Sequence, residues 1–175
     1  MFLLWSVSSS PALALTAVQS GPGVDLAAGL GLGGHPVAAH VGGQLSLGWW
    51  SGTYDDQYAF GRYWWVGPTG RVDWQADTLR VAPMLEIRRG IELIVVGLSI
   101  GAAGGPLLRV EDGTDVGWTA RALGQVKLRR SRFWGFSLRV EAGVDGFGDR
   151  VGFTGAMLLG GSFARPAHKI LPPEI

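Results

Sequence analysis

The chain has 175 residues, the length of one domain, and 47% of them are hydrophobic while only 17% are charged. Its 29 glycines and eight tryptophans exceed ordinary usage, and this apolar composition excludes intrinsic disorder. Fifteen basic residues against 14 acidic ones leave no net field for nucleic acid, and the lack of cysteine excludes disulfides, zinc-thiolate sites and cysteine nucleophiles.

The first 20 residues are expected to be an export signal or an apolar N-terminal arm. Phe2, Leu3, Leu4, Trp5 and Val7 precede Ser8-Ser9-Ser10-Pro11, and Ala12-Leu13-Ala14 then offers the small-x-small pattern of a cleavage site. No basic segment precedes the apolar run.

From Val24 onward the chain alternates with period two. Val24, Leu26, Ala28, Leu30 and Leu32 oppose Asp25, Ala27, Gly29 and Gly31. Val37 to Trp49 repeats the pattern, with Val41, Leu45, Leu47 and Trp49 opposite His40, Gly42, Gln44 and Ser46. It returns in Leu79 to Arg88, Val116 to Arg129, Phe136 to Asp145 and Val151 to Phe163. A helix would mix these two sets of residues on one face.

Turn signals divide the runs at Gly33-Gly34-His35-Pro36, Ser51-Gly52, Gly67-Pro68-Thr69-Gly70, Arg89-Gly90, Glu111-Asp112-Gly113-Thr114, Arg130-Ser131 and Gly146 to Asp149. Seven turns predict eight strands, at about 24–33, 37–49, 57–66, 71–88, 91–103, 115–129, 133–145 and 150–163. Pro83 falls inside the fourth, where a bulge would accommodate its missing donor. Leu93 to Leu108 is uncharged, with Gly97 and Gly101 spaced as GxxxG, but its 16 residues fall short of the roughly 20 a membrane helix needs.

The distribution of size and charge places the polar face inside. Arg80, Glu86, Arg121, Lys127, Arg139 and Glu141 alternate with apolar residues in mid-strand, and too few charges remain to cover a soluble surface. Together these runs resemble the small eight-stranded outer-membrane β-barrels of Gram-negative bacteria, over roughly Val24 to Phe163. The resemblance implies an all-β, closed antiparallel eight-stranded transmembrane barrel at 21–163, followed by a C-terminal tail at 164–175. It also implies a lumen charge network of those six residues, both termini in the periplasm, and outer-membrane lipid as a partner.

On that topology Trp49, Trp50, Tyr58, Trp64, Trp65 and Trp74 are expected at the membrane interface. Gly104 to Asp115 would be the longest exterior loop, acidic through Glu111, Asp112 and Asp115. That loop and the turn from Trp49 to Asp56 are the expected contact sites. The family usually ends on an aromatic residue, whereas 12 residues follow Phe163 here.

Nothing in the sequence assembles a catalytic site or a cofactor site. The histidines His35, His40 and His168 have no metal-ligand spacing, His40 and Ser46 would stand about 20 Å apart along one strand, and no GxSxG is present. His40 therefore reads as a polar lumen residue. The expected role is structural, adhesive or partner-binding, toward another membrane or cell-surface protein. A subunit of an outer-membrane complex, a lipid-A-modifying enzyme and a soluble lipocalin-like carrier are the alternatives.

Overall fold

A computed structural model describes residues 16–34, 37–55, 60–93, 95–111, 113–129, 134–164 and 168–170. These form nine strands and no helix: β1 (Thr16–Gly33), β2 (Ala38–Asp55), β3 (Phe60–Gln75), β4 (Thr78–Glu92), β5 (Val96–Val110), β6 (Thr114–Arg129), β7 (Trp134–Phe147), β8 (Arg150–Ala164) and β9 (His168–Ile170). Each of the first seven pairs antiparallel with the next, and β1 pairs with both β2 and β8, so the sheet closes on itself. The short β9 pairs with Val18–Ser20, on the stretch of β1 that runs past the end of β8. β1 thus begins inside the segment read as a leader or arm, and β9 lies inside the segment read as a tail. The candidate cleavage site at Ala12–Ala14 lies outside the described residues.

Closure fixes the shape. Pairing leads from Pro22 to Trp49, Val66, Ile87, Ala102, Ala122, Ala142 and Gly155, and then returns to β1 at Leu32, ten residues further on. For eight strands this stagger sets a tilt of about 41° and a radius of about 8 Å, so each residue climbs about 2.5 Å along the barrel axis.

The alternating faces appear as expected from the sequence, but several turns move. Ser51-Gly52 lies within β2, Gly67 to Gly70 within β3 and Arg89-Gly90 within β4. The β3–β4 reversal instead occurs at Ala76-Asp77, which places Arg71 and Asp73 on β3 rather than on the fourth strand. Ala76 takes a φ of +49°, a conformation that normally favours glycine, and the Trp74 indole holds the turn by donating to the Ala76 carbonyl at 2.6 Å. Gly104 to Asp115 is not a loop: Gly104–Val110 belongs to β5 and Thr114-Asp115 to β6. Val96 to Leu108, most of the uncharged stretch, lies in β5, and no described helix is long and apolar enough to cross a membrane. The Arg130-Ser131 turn and His35-Pro36 lie outside the described residues.

Pro83 does not create a bulge. The β4–β5 register is the same on both sides of it, which sets Pro83 opposite Pro106. Two residues without an N–H face one another, so the ladder opens locally with no residue inserted.

Bare backbone is required where β1 meets β8. A Cβ on Gly29 would stand 1.9 Å from the Met157 carbonyl, and one on Gly160 would stand 1.9 Å from that of Leu26. Gly160→Ala is therefore expected to lower unfolding stability in detergent micelles by about 1–3 kcal/mol, the cost of overpacking. Gly124→Ala, where a Cβ meets nothing within 4 Å, is expected to leave it unchanged. Urea unfolding of the two variants checks the contrast.

Candidate functional site

The strand alternation separates two environments. Inward positions carry the polar set: Glu86 is 0% exposed, and Arg71 and Arg88 are each 1% exposed. Outward positions carry the apolar set, with Ile100 at 74% and Phe153 at 79%. The barrel is apolar without and mainly polar within, where Met84, Leu107 and Leu123 form one small buried apolar cluster and Leu158 anchors another.

The buried charges form one continuous chain. Arg88 of β4 pairs with Asp25 of β1 and, through Nε at 2.6 Å, with Glu86. Arg139 of β7 grips Glu86 with both terminal nitrogens, at 3.1 and 2.9 Å, and donates Nε to Glu141 at 2.6 Å. Arg71 of β3 donates to Glu141 and to Asp73, the latter at 2.7 Å. Arg121 of β6 lies 3.8 Å from Asp73 and 3.4 Å from Asp145, and Arg80 closes the sequence 3.6 Å from Asp145. Five guanidinium groups therefore meet five carboxylates, and the charges in the chain sum to zero. By register the pairs climb the axis, from Asp25 and Arg88 near the termini to Arg80 and Asp145 near the opposite end.

Neutral donors fill the spaces between the ions. Gln44 and Ser46 donate to Glu86, each at 3.3 Å, and also bond Thr69. Thr119 bonds Asp145 at 2.7 Å, and Ser162 bonds Asp25. His40 is buried, with its Nε2 3.6 Å from Asp73. Ser46 and His40 are thus engaged by different partners, and do not face one another as nucleophile and base.

Five of the six sequence-predicted lumen residues meet in this chain: Arg80, Glu86, Arg121, Arg139 and Glu141. Lys127 stands below it instead, half-buried, with Nζ 5.9 Å from the centre of the Tyr63 ring. Asp25, Arg71, Asp73, Arg88 and Asp145 complete the chain and were not singled out from the sequence. A turn predicted at Gly67 to Gly70 puts Arg71 and Asp73 at the start of the fourth strand, and Arg88 and Asp145 stand at the last positions of their alternating runs. Strand alternation was the signal that could have found them.

The aromatic residues divide by face. Trp49, Trp64 and Trp74 point outward. Trp65 points inward at 3% exposure, and Trp50 is half-buried on an inward position of β2, so neither is on the outer surface. The Trp65 ring lies on the bare backbones of Gly23 and Gly48, and the Arg88 guanidinium stacks on it at 4.4 Å. Tyr58 lies outside the described residues.

The outward aromatics fall at two levels. Trp49, Trp64, Phe136 and Phe163 share one near the termini, while Trp74, Trp118 and Phe153 share another about 24 Å away, from the register and the rise per residue. Every described outward position between these levels is Gly, Ala, Val, Leu, Ile, Met or Pro.

At the end away from the termini, the acidic loop expected from the sequence is reduced to a tight connection. Asp115 lies on β6 and pairs with its cross-strand neighbour Arg109, whose guanidinium also stacks on Phe147 at 4.7 Å. Glu111 is exposed in the turn, and Asp112 lies outside the described residues. Among the described residues no group of three or more His, Cys, Asp or Glu side chains could hold a metal ion. No protein-family model matches the sequence, and no curated protein matches it.

Removing one partner from the chain strands the others. Glu86→Ala is expected to cost about 3–5 kcal/mol of unfolding stability, because five buried guanidinium groups then share four carboxylates, with Arg88 left to Asp25 alone and Arg139 to Glu141 alone. Glu86→Gln, which keeps the volume and one acceptor oxygen, is expected to cost less. Denaturant unfolding in micelles at low and high salt checks this, and the loss is expected to persist at high salt because the pairs are buried.

Proposed function

We propose that this chain is an integral outer-membrane β-barrel of a Gram-negative cell, with a structural, adhesive or partner-binding role and no catalysis. The observation that carries the reading is the outer wall. A continuous apolar belt separates two aromatic levels about 24 Å apart, close to the roughly 25 Å of a membrane barrel's lipid-facing band. Closure leaves no unpaired strand edge within that belt, which is the condition for backbone in lipid. The charged residues that a soluble barrel would turn to water are paired in the lumen instead. A lipocalin-like carrier would need the reverse, an apolar interior. A lipid-A-modifying enzyme would need a nucleophile beside a base, and Ser46 and His40 are not so placed.

A second reading, a subunit of a larger membrane complex, is favoured by one feature. Ala102, Gly104, Ala120, Ala122, Gly124, Ala142 and Gly155 give β5 to β8 a shallow outer face in the middle of the belt. Small side chains there let another wall approach closely.

The membrane fraction, run on an SDS gel with and without boiling, tests the first reading. A compact species that shifts only on heating, found in the outer membrane, is the expected result. A protein that stays in the soluble fraction and shows no shift contradicts it. A larger species surviving in mild detergent would favour the subunit reading.

A further inference from the structure

We infer that the outer wall at the termini end carries a binding site for the phosphate of an anionic phospholipid, centred on Arg89 and Arg62 on either side of Trp64. This inference rests on the membrane reading above and deepens it.

Arg89 is the one charged side chain that the described outer wall holds at an aromatic level. Its guanidinium stacks on the exposed Trp64 ring at 5.3 Å. Trp64 is its cross-strand partner, and Arg62 lies two residues along from Trp64 on the same outward face. Arg62 is also exposed and has a contact of its own within the chain. The two arginines occupy diagonal positions on neighbouring strands, where Cβ atoms stand about 7–8 Å apart. Long side chains at that separation can converge on one phosphate. Ser51, opposite Trp64, and Thr53, opposite Arg62, add two exposed hydroxyl donors from β2.

Chemistry changes sharply within this patch. Toward the barrel middle the wall continues as Leu47, Val66 and Ile87, all exposed and apolar. Away from the middle come Ser51, Thr53 and Arg62. The arrangement matches a lipid from headgroup to chain: cations and hydroxyls for the phosphodiester, an indole at the boundary, and an aliphatic surface for the acyl tail. Guanidinium groups suit phosphate oxygens because their donors form a fixed planar fork. A free phosphate would satisfy the cations but leave the apolar half of the patch unused.

The test uses the whole chain, refolded in mild detergent, with native mass spectrometry reading the bound lipid. The probes are phosphatidylglycerol, phosphatidylcholine and inorganic phosphate, and insertion into phosphatidylcholine vesicles is followed by protease protection in parallel. The expected result is retention of phosphatidylglycerol over phosphatidylcholine. Arg89→Ala and Arg62→Ala each weaken it about fivefold, the weight of one cation at an anionic surface. Arg89→Lys is expected to retain much of it, and Arg150→Ala at the opposite end to leave it intact. Equal retention of the two lipids, unchanged retention in the double alanine variant, or displacement by inorganic phosphate would each overturn the inference while leaving the membrane reading in place. Failure of the unaltered chain to insert into vesicles would overturn both.

Discussion

Five buried arginines have to be neutralised inside a barrel about 8 Å in radius, and most of the rest of this structure follows from how that is done. An unpaired guanidinium in such a space would cost several kcal/mol, so each is held against at least one carboxylate, and the carboxylates are shared. Glu86 serves Arg88 and Arg139, Glu141 serves Arg139 and Arg71, and Asp73 serves Arg71 and Arg121. Sharing turns separate pairs into one chain that crosses the barrel from β1 to β3, β4, β6 and β7. The strand ladder fixes the wall, and this chain ties distant parts of the wall together across the interior.

The outer wall is the other half of the same arrangement. With the buried charges turned inward, the outward residues of the belt are apolar, and the outward aromatics gather at two levels. The glycines complete this division. Gly23 and Gly48 leave room for the Trp65 ring to lie across the lumen near the termini, while Gly29 and Gly160 let β1 approach β8 closely enough to close the sheet. Interior packing and strand closure therefore draw on the same small residues for different reasons.

Much of this was legible in the sequence. Period two gave the strands and their faces, and the excess of apolar over charged residues gave the direction in which the faces point. The turns were harder. Gly67-Pro68-Thr69-Gly70 has the composition of a loop, yet Gly67 is needed because a Cβ there would stand 2.0 Å from the Leu47 carbonyl. The true reversal at Ala76-Asp77 has no glycine, and its strained backbone is held by an indole hydrogen bond from Trp74. Alternation alone separates Trp64 from Trp65, and grouping the aromatics by type hid that difference. The ion pairs were out of reach for another reason. Arg71 and Glu141 are 70 residues apart, and Arg139 and Glu86 are 53 apart, so only the ten-residue stagger of the closed sheet brings them together.

The central claim is that this wall faces lipid while its alternate residues face a closed ionic interior. The absence of native cysteine makes it directly measurable. Nitroxide labels placed singly at Leu26, Leu45, Leu85, Ile100 and Leu138, in protein reconstituted into phospholipid vesicles, report which medium surrounds each position. The account predicts high collision rates with oxygen and low rates with a water-soluble nickel chelate at all five, reversing at Glu111 and Asp77 beyond the belt. High nickel accessibility at the five belt positions would contradict it.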